Sequence, residues 1–127
     1  MKYITCIYIL LLGTLSLLAS HNIRPCETLL PSVPFVDKLC HFLFAGTLTF
    51  LLTVTLHGLG LLRRMFAVAV VILLLVAVVT IDEISQLLIS TRTFSLADLA
   101  CNYGGILCFG LAAVFICRRP RRAELRS

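Results

Sequence analysis

The chain has 127 residues, of which 60% are hydrophobic and 13% charged, and its mean hydropathy is +1.05. Soluble globular domains are nearer ~45–50% apolar, so this composition excludes a soluble fold and predicts a single membrane domain that contacts the lipid bilayer. The net charge of +5 does not indicate nucleic-acid binding, because Lys and Arg are not interleaved with aromatic residues as a nucleic-acid groove requires.

Four apolar segments predict an all-α fold, a four-helix transmembrane bundle. A spanning helix needs ~20 mostly apolar residues, and the candidate segments are 3–20, 38–56, 65–81 and 99–117. The loops between them are short, so consecutive helices are expected to pack as antiparallel neighbours. The first segment resembles a signal peptide, but Leu18 stands where a cleavage site needs a small residue, which favours a retained helix.

The distribution of Lys and Arg predicts a multi-pass protein of the cell (inner or plasma) membrane with both termini in the cytoplasm. Basic residues accumulate on the cytoplasmic side, and this orientation places eight of them inside and three outside. The inner set is Lys2, Arg63, Arg64, Arg118, Arg119, Arg121, Arg122 and Arg126, and the outer set is Arg24, Lys38 and Arg92. Five of the six acidic residues fall outside.

A first group of polar residues opens the second span. Asp37 and His41 are four residues apart, so they share one face of a helix. Asp37 also complements the dipole at the helix N-terminus, and Lys38 can extend toward lipid headgroups. His41 lies one turn further in and needs a partner or water. Interface anchoring and a functional role are equally good explanations of this group.

A second group follows the uncharged third span. Asp82 and Glu83 come at the C-terminal end of that helix, where acidic side chains oppose the macrodipole and require compensation. If the helix continues, Gln86 lies within reach of either carboxylate. Only one of two adjacent acids is expected to point inward, and the spacing does not decide which.

A third group surrounds the start of the fourth span. Arg92, in the preceding turn, is a cation able to pair with a carboxylate or phosphate through two hydrogen bonds. Ser95 and Asp98 have the spacing of a capping box, which alone could account for Asp98. Asn102 follows one turn later on the same face and needs partners. Small residues let helices approach closely in membranes, and the candidates here are Gly104, Gly105 and Gly110.

The six cysteines predict no metal site, because none has the two-residue spacing of a zinc motif. Cys6, Cys108 and Cys117 fall within spans and are expected to pack as small apolar residues. A disulfide in an oxidising outer compartment stays open for the remaining three, which are Cys26, Cys40 and Cys101.

Taken in order, these groups resemble the VanZ-like family of small bacterial membrane proteins, over about 36–110. The matching positions are Asp37, Lys38, His41, Glu83, Gln86, Arg92, Asp98, Asn102 and Gly105. Asp82 before Glu83, and Ser90-Thr91 before Arg92, depart from the expected pattern. The resemblance implies an envelope protein, with a possible link to low-level glycopeptide (teicoplanin) resistance, and it implies no reaction.

Four functions fit these residues, and the one ranked first is binding of a polar or anionic envelope ligand, such as a lipid headgroup or cell-wall precursor, at an extracytoplasmic pocket. The predicted ligand-binding residues are Asp37, Lys38, His41, Glu83, Gln86, Arg92, Asp98 and Asn102. A structural polar network ranks second. Acid–base catalysis on a lipid-linked substrate ranks third, with Glu83, His41 and Asp98 as candidate catalytic residues. Binding of a divalent cation ranks last, because its candidate ligands have no recognised metal spacing, and neither a metal nor another cofactor is assigned. Those candidates are Asp37, His41, Glu83 and Asp98.

Overall fold

The computed structural model describes residues 1–20, 35–61, 65–88 and 94–117. Within those ranges the chain is helical and contains no strand, so the predicted all-α fold is confirmed. The helices are α1 (Lys2–Ser20), α2 (Val36–Gly58), α3 (Met65–Ser85) and α4 (Leu96–Cys117), and α3 continues into a short 3-10 turn, Gln86–Leu88.

Three of these helices are long and apolar enough to cross a membrane, as judged from the described residues: Val36–Gly58, Val68–Leu88 and Leu96–Cys117. At 1.5 Å per residue, helices of this length extend about 30–35 Å, which matches the hydrocarbon core of a bilayer. The apolar stretch Lys2–Leu18 of α1 is shorter. The protein is therefore membrane-embedded, and a fourth crossing by α1 stays a prediction.

The outer faces of the helices carry large apolar side chains. On α3, Leu73 is 66% and Val78 58% exposed, and on α4 Leu111 is 69% exposed. In water such faces would be unstable, whereas lipid tails are as apolar as leucine and impose no such cost. These faces are therefore the lipid-contacting surface of the bundle.

The closest helix pair is α2 and α4, which the sequence does not join directly. Gly105 of α4 lies against the backbone of α2, where a Cβ atom would clash with the carbonyl oxygen of Phe42. Gly46 of α2 receives the ring of Phe109, which makes an edge-on contact with Phe42 at 5.9 Å between ring centroids. Close packing at Gly105 was predicted, and Gly46 completes it from the opposite helix.

Helix directions alternate along the chain, as short loops require. The start of α2 meets the start of α4, since Phe42 contacts Gly105 and Thr49 contacts Gly110, so these two helices are parallel. The start of α1 meets the end of α2, where the hydroxyls of Thr5 and Thr55 are hydrogen-bonded at 2.8 Å. Consecutive helices are therefore antiparallel, as predicted, although the tightest packing joins α2 to α4.

The predicted bounds differ from the structure by one or two residues for α1 and α2, and by more at two further positions. The third span was predicted to end at residue 81, but α3 runs to Ser85 and its 3-10 turn to Leu88. The fourth was predicted to begin at residue 99, but α4 begins at Leu96. Both predictions followed hydrophobicity, whereas the added turns contain polar residues, among them Glu83 and Gln86, which are hydrogen-bonded to each other inside the bundle.

Candidate functional site

Polar residues from three helices gather at one end of the bundle, where α2 and α4 begin and α3 ends. We call this group the polar cluster, and its members are Asp37, Lys38, His41, Glu83, Gln86, Asp98 and Asn102. Every described residue of the predicted site is therefore at the same end. Arg92, Cys26 and the prolines before α2 lie outside the described residues.

Glu83 is the most deeply buried charged residue of the described chain, with 1% of its surface exposed. Its Oε2 accepts a hydrogen bond from the Gln86 side-chain amide at 3.0 Å, and its Oε1 accepts one from the backbone N–H of Ser95 at 2.9 Å. The spacing predicted that Gln86 reaches either Asp82 or Glu83, and in the structure it binds Glu83. The bond to Ser95 joins the end of α3 to the start of α4.

The adjacent acid, Asp82, points the other way. Asp82 is exposed, and its Oδ1 accepts a hydrogen bond from the hydroxyl of Ser16 on α1 at 3.4 Å. The sequence left open which of the two acids faces inward. The structure assigns Glu83 to the polar cluster and Asp82 to the surface beside α1.

The start of α4 resembles a capping box, but Glu83 of α3 takes the place of the acid that α4 itself would supply. The hydroxyl of Ser95 accepts a hydrogen bond from the backbone N–H of Asp98 at 3.3 Å, as predicted. In the complete motif the acid at the third helical position would accept the N–H of Ser95 in return. Glu83 takes that N–H instead. The capping explanation therefore does not account for the carboxylate of Asp98, which is free to face α2.

Asp98 pairs with Lys38 across the interface between α2 and α4. The Lys38 Nζ lies 3.5 Å from Asp98 Oδ1, and the two side chains are 37% and 11% exposed. That oxygen is buried and makes no hydrogen bond within the described part of the chain, because the ammonium lies at the limit of hydrogen-bond distance. Asp98 Oδ1 thus has a countercharge but an unfilled acceptor position.

Asp37 and His41 lie beside this pair on the same face of α2. The distance between His41 Nε2 and Asp37 Oδ1 is 4.0 Å, and their side chains are 24% and 46% exposed. One ligand atom from each of Asp37, His41 and Asp98 lies within 4.8 Å of the other two. The shared helix face was predicted, and Asp98 joins it because α2 and α4 are parallel.

Asn102 lies one turn beyond Asp98 on α4, and 7% of its surface is exposed. Asn102 is therefore buried within the bundle. Ser85 donates to the backbone carbonyl of Asp82 at 2.6 Å. Ser85 and Ser95 are thus both engaged at helix ends. Cys101, close to the cluster in sequence, is a free cysteine, and the pairing of Cys26 falls outside the described residues.

Several contributors to the site were not predicted. The partners of Glu83 and Asp82 include the backbone of Ser95 and the side chain of Ser16, and neither residue type has a distinguishing pattern. Thr80 and Tyr103 are hydrogen-bonded at 2.7 Å and add a second polar link between α3 and α4. Polar side chains within apolar spans tend to find partners on neighbouring helices, and this signal could have identified Thr80 and Tyr103.

No family model matches the chain, and no curated protein or solved structure matches it either.

Proposed function

We propose that this membrane protein binds a polar, anionic ligand of the cell envelope at the polar cluster, on the extracytoplasmic face. The ligand class is a phosphate-bearing lipid headgroup or lipid-linked cell-wall precursor. The observation that carries this proposal is the pair formed by Lys38 and Asp98. The ammonium is more than one-third exposed, while its partner oxygen, Asp98 Oδ1, is buried and accepts no hydrogen bond among the described residues.

The arrangement of helix ends supports an anionic ligand. Because α2 and α4 are parallel, their N-termini lie at the same end, and each carries about half a unit of positive charge from its unpaired N–H groups. Asp37 and Asp98 occupy the first turns of these helices and complement that charge. An anion bound to the Lys38 ammonium would lie near both helix ends, whose positive charge offsets part of the repulsion from these two carboxylates.

Within this proposal the exposed and the buried members of the polar cluster have different roles. Asp37, Lys38 and His41 are partly exposed and are the residues that a ligand entering from water reaches first. Glu83 has both carboxylate oxygens engaged, so it holds α3 against α4 and positions the others. Asn102 and Arg92 complete the predicted set, and for Arg92 the role stays a prediction from sequence.

The test compares a lipid phosphate with its neutral counterpart. Purified full-length protein in a neutral detergent is titrated with farnesyl phosphate and, separately, with farnesol. We expect the phosphate to bind at least 10-fold more tightly, because a charge-assisted hydrogen bond contributes about 1.5–3 kcal/mol. Replacing Lys38 with Met should remove most of that difference, whereas Lys2→Met, at the far end of the bundle, should not.

Equal binding of the phosphate and the alcohol would refute the proposal, as would a phosphate preference that Lys38→Met leaves intact. The envelope role is tested separately in the source bacterium. If the resemblance to the VanZ-like family reflects function, deleting the gene should raise susceptibility to teicoplanin, and a copy carrying Lys38→Met should not restore it. Full restoration by that copy would separate the envelope role from the polar cluster.

A structural network is the second candidate function, and the position of Glu83 favours it. A buried carboxylate that accepts the backbone N–H of another helix fixes how α3 and α4 meet. The catalytic alternative, with Glu83, His41 or Asp98 as acid or base, has no comparable support. Both serines near the cluster are engaged at helix ends, so neither is set up as a nucleophile.

A further inference from the structure

We propose that Asp37, His41 and Asp98 form a binding site for a divalent transition-metal cation, with Mn²⁺ and Zn²⁺ as the best candidates. The proposal stands independently of the anionic ligand, because it uses the metal alone and a set of side chains that lacks Lys38. The sequence alone ranked a cation at these residues and Glu83 last, because they have no recognised metal spacing. In the structure both oxygens of Glu83 are engaged elsewhere, and the other three residues come together.

The distances are close to those that a bound cation requires. Ligand atoms of the three residues lie within 4.8 Å of one another. Oxygen and nitrogen ligands lie about 2.0–2.2 Å from such metals, which places two ligands of one ion roughly 3–4 Å apart. A contraction of about 1 Å therefore closes the site. Asp37 and His41 are partly exposed and can make that movement by changing side-chain conformation.

The buried oxygen of Asp98 is a second, independent indication of a ligand. Asp98 is 7% exposed, and its Oδ1 makes no hydrogen bond within the described ranges. Buried polar atoms are nearly always hydrogen-bonded, so an unfilled acceptor inside a group of metal-binding side chains calls for an explanation. Lys38 supplies a positive charge 3.5 Å away but leaves the acceptor position open, and a cation would fill it.

The ligand chemistry selects the class of metal. One imidazole nitrogen and two carboxylate oxygens form a mixed set, whereas Mg²⁺ and Ca²⁺ are bound through oxygen alone. Imidazole suits Zn²⁺ and carboxylate suits Mn²⁺, so both fit this combination. Two carboxylates balance the charge of a divalent ion, and the exposed side of Asp37 leaves room for water to complete the coordination.

Substitution of Lys38 should have opposite effects on the affinity for a metal and on the affinity for an anion. The ammonium competes with a cation for Asp98 Oδ1, and it repels a metal held beside it. Replacing Lys38 with Met should therefore strengthen metal binding several-fold, although the same change weakens phosphate binding under the proposed function. A gain of affinity cannot result from misfolding, so this variant tests the proposal even if the other variants lose their structure.

The experiment is a titration of the full-length protein with MnCl₂, in neutral detergent without phosphate or an affinity tag, followed by electron paramagnetic resonance of the free ion. We expect one Mn²⁺ per chain, displaced by ZnCl₂ but not by an equal concentration of MgCl₂. His41→Ala and Asp98→Asn should each weaken binding at least 10-fold. The matched controls are His57→Ala, at the far end of α2, and Asp82→Asn, which points away from the cluster.

Failure to bind Mn²⁺ stoichiometrically would overturn the proposal. So would binding that Asp98→Asn leaves unchanged, or a loss of affinity in Lys38→Met. Because no anionic ligand is present, a negative result here leaves phosphate binding untouched, and a failure of phosphate binding leaves this result standing.

Discussion

Glu83 shows at the scale of a single residue how a charge can be buried at the end of an apolar helix. Both of its oxygens are engaged, one by Gln86 on the following turn and one by the backbone of Ser95. Burying an unpaired charge would cost several kcal/mol, whereas a carboxylate that is fully hydrogen-bonded avoids most of that cost. Asp82, next to it, stays exposed and therefore needs no such partners.

We predict that the hydrogen bonds of Glu83, more than its charge, stabilise the bundle. In Glu83→Gln the side chain keeps its size and an oxygen for the N–H of Ser95, and Gln86 can turn its amide, so the loss should be about 1 kcal/mol. Glu83→Ala leaves the N–H of Ser95 and the side-chain amide of Gln86 without their acceptor and creates a cavity. Together these effects should lower the free energy of unfolding by about 3 kcal/mol. The measurement is the free energy of unfolding in mixed detergent micelles.

Asp82→Asn serves as the control for that pair, because it changes an adjacent but exposed acid and should stay within about 0.5 kcal/mol of the parent. If Glu83→Ala were no more destabilising than Glu83→Gln, the bonds to Ser95 and Gln86 would not be what holds α3 to α4.

At the scale of helices, the sequence predicted local features well and the choice of neighbours poorly. Helical spacing alone put Gln86 within reach of Asp82 and Glu83, and it also predicted the shared face of Asp37 and His41. The contact between Lys38 and Asp98 depends instead on α2 and α4 being parallel and close. Glycines on α4 indicated a close approach, but nothing in the sequence identified α2 as the partner.

We predict that Gly105 sets the distance between α2 and α4. A Cβ atom at this position would clash with the carbonyl oxygen of Phe42, which is backbone and cannot turn aside. Gly105→Ala should therefore separate the helices and destabilise the bundle by about 1–3 kcal/mol. It should also weaken ligand binding at the polar cluster, since Lys38 and Asp98 move apart.

The matched control is Gly13→Ala on α1, because a Cβ atom at Gly13 has no neighbour within 4 Å. Alanine is preferred over glycine in a helix interior by up to about 1 kcal/mol, so that variant should be neutral or more stable. Thermal unfolding of both variants in the same detergent makes the comparison. Equal effects at the two positions would exclude close packing as the reason for Gly105.

At the scale of the whole molecule, the alternating helix directions bring together ends that are far apart in sequence. The start of α1, the end of α2, the start of α3 and the end of α4 share one side, and most Lys and Arg residues adjoin that side. The polar cluster lies at the opposite side. The polar cluster thus lies opposite the helix ends that the basic segments adjoin in the sequence, in line with the predicted orientation.

That separation leads to a prediction about orientation in the cell membrane, which charge distribution alone supports so far. Basic residues are retained in the cytoplasm, so the polar cluster should face outward and both termini inward. In intact cells expressing a variant that keeps Cys26 as its sole cysteine, a membrane-impermeant maleimide should label the protein. A variant whose sole cysteine replaces Arg64 should be labelled only after the cells are opened, since that position adjoins the start of α3.

The double substitution Arg63→Ala and Arg64→Ala, as a further control, tests whether this loop's charge is what fixes the orientation. Labelling of the Arg64→Cys variant from outside would contradict the predicted topology. The polar cluster, with both proposed ligands, would then lie on the cytoplasmic face.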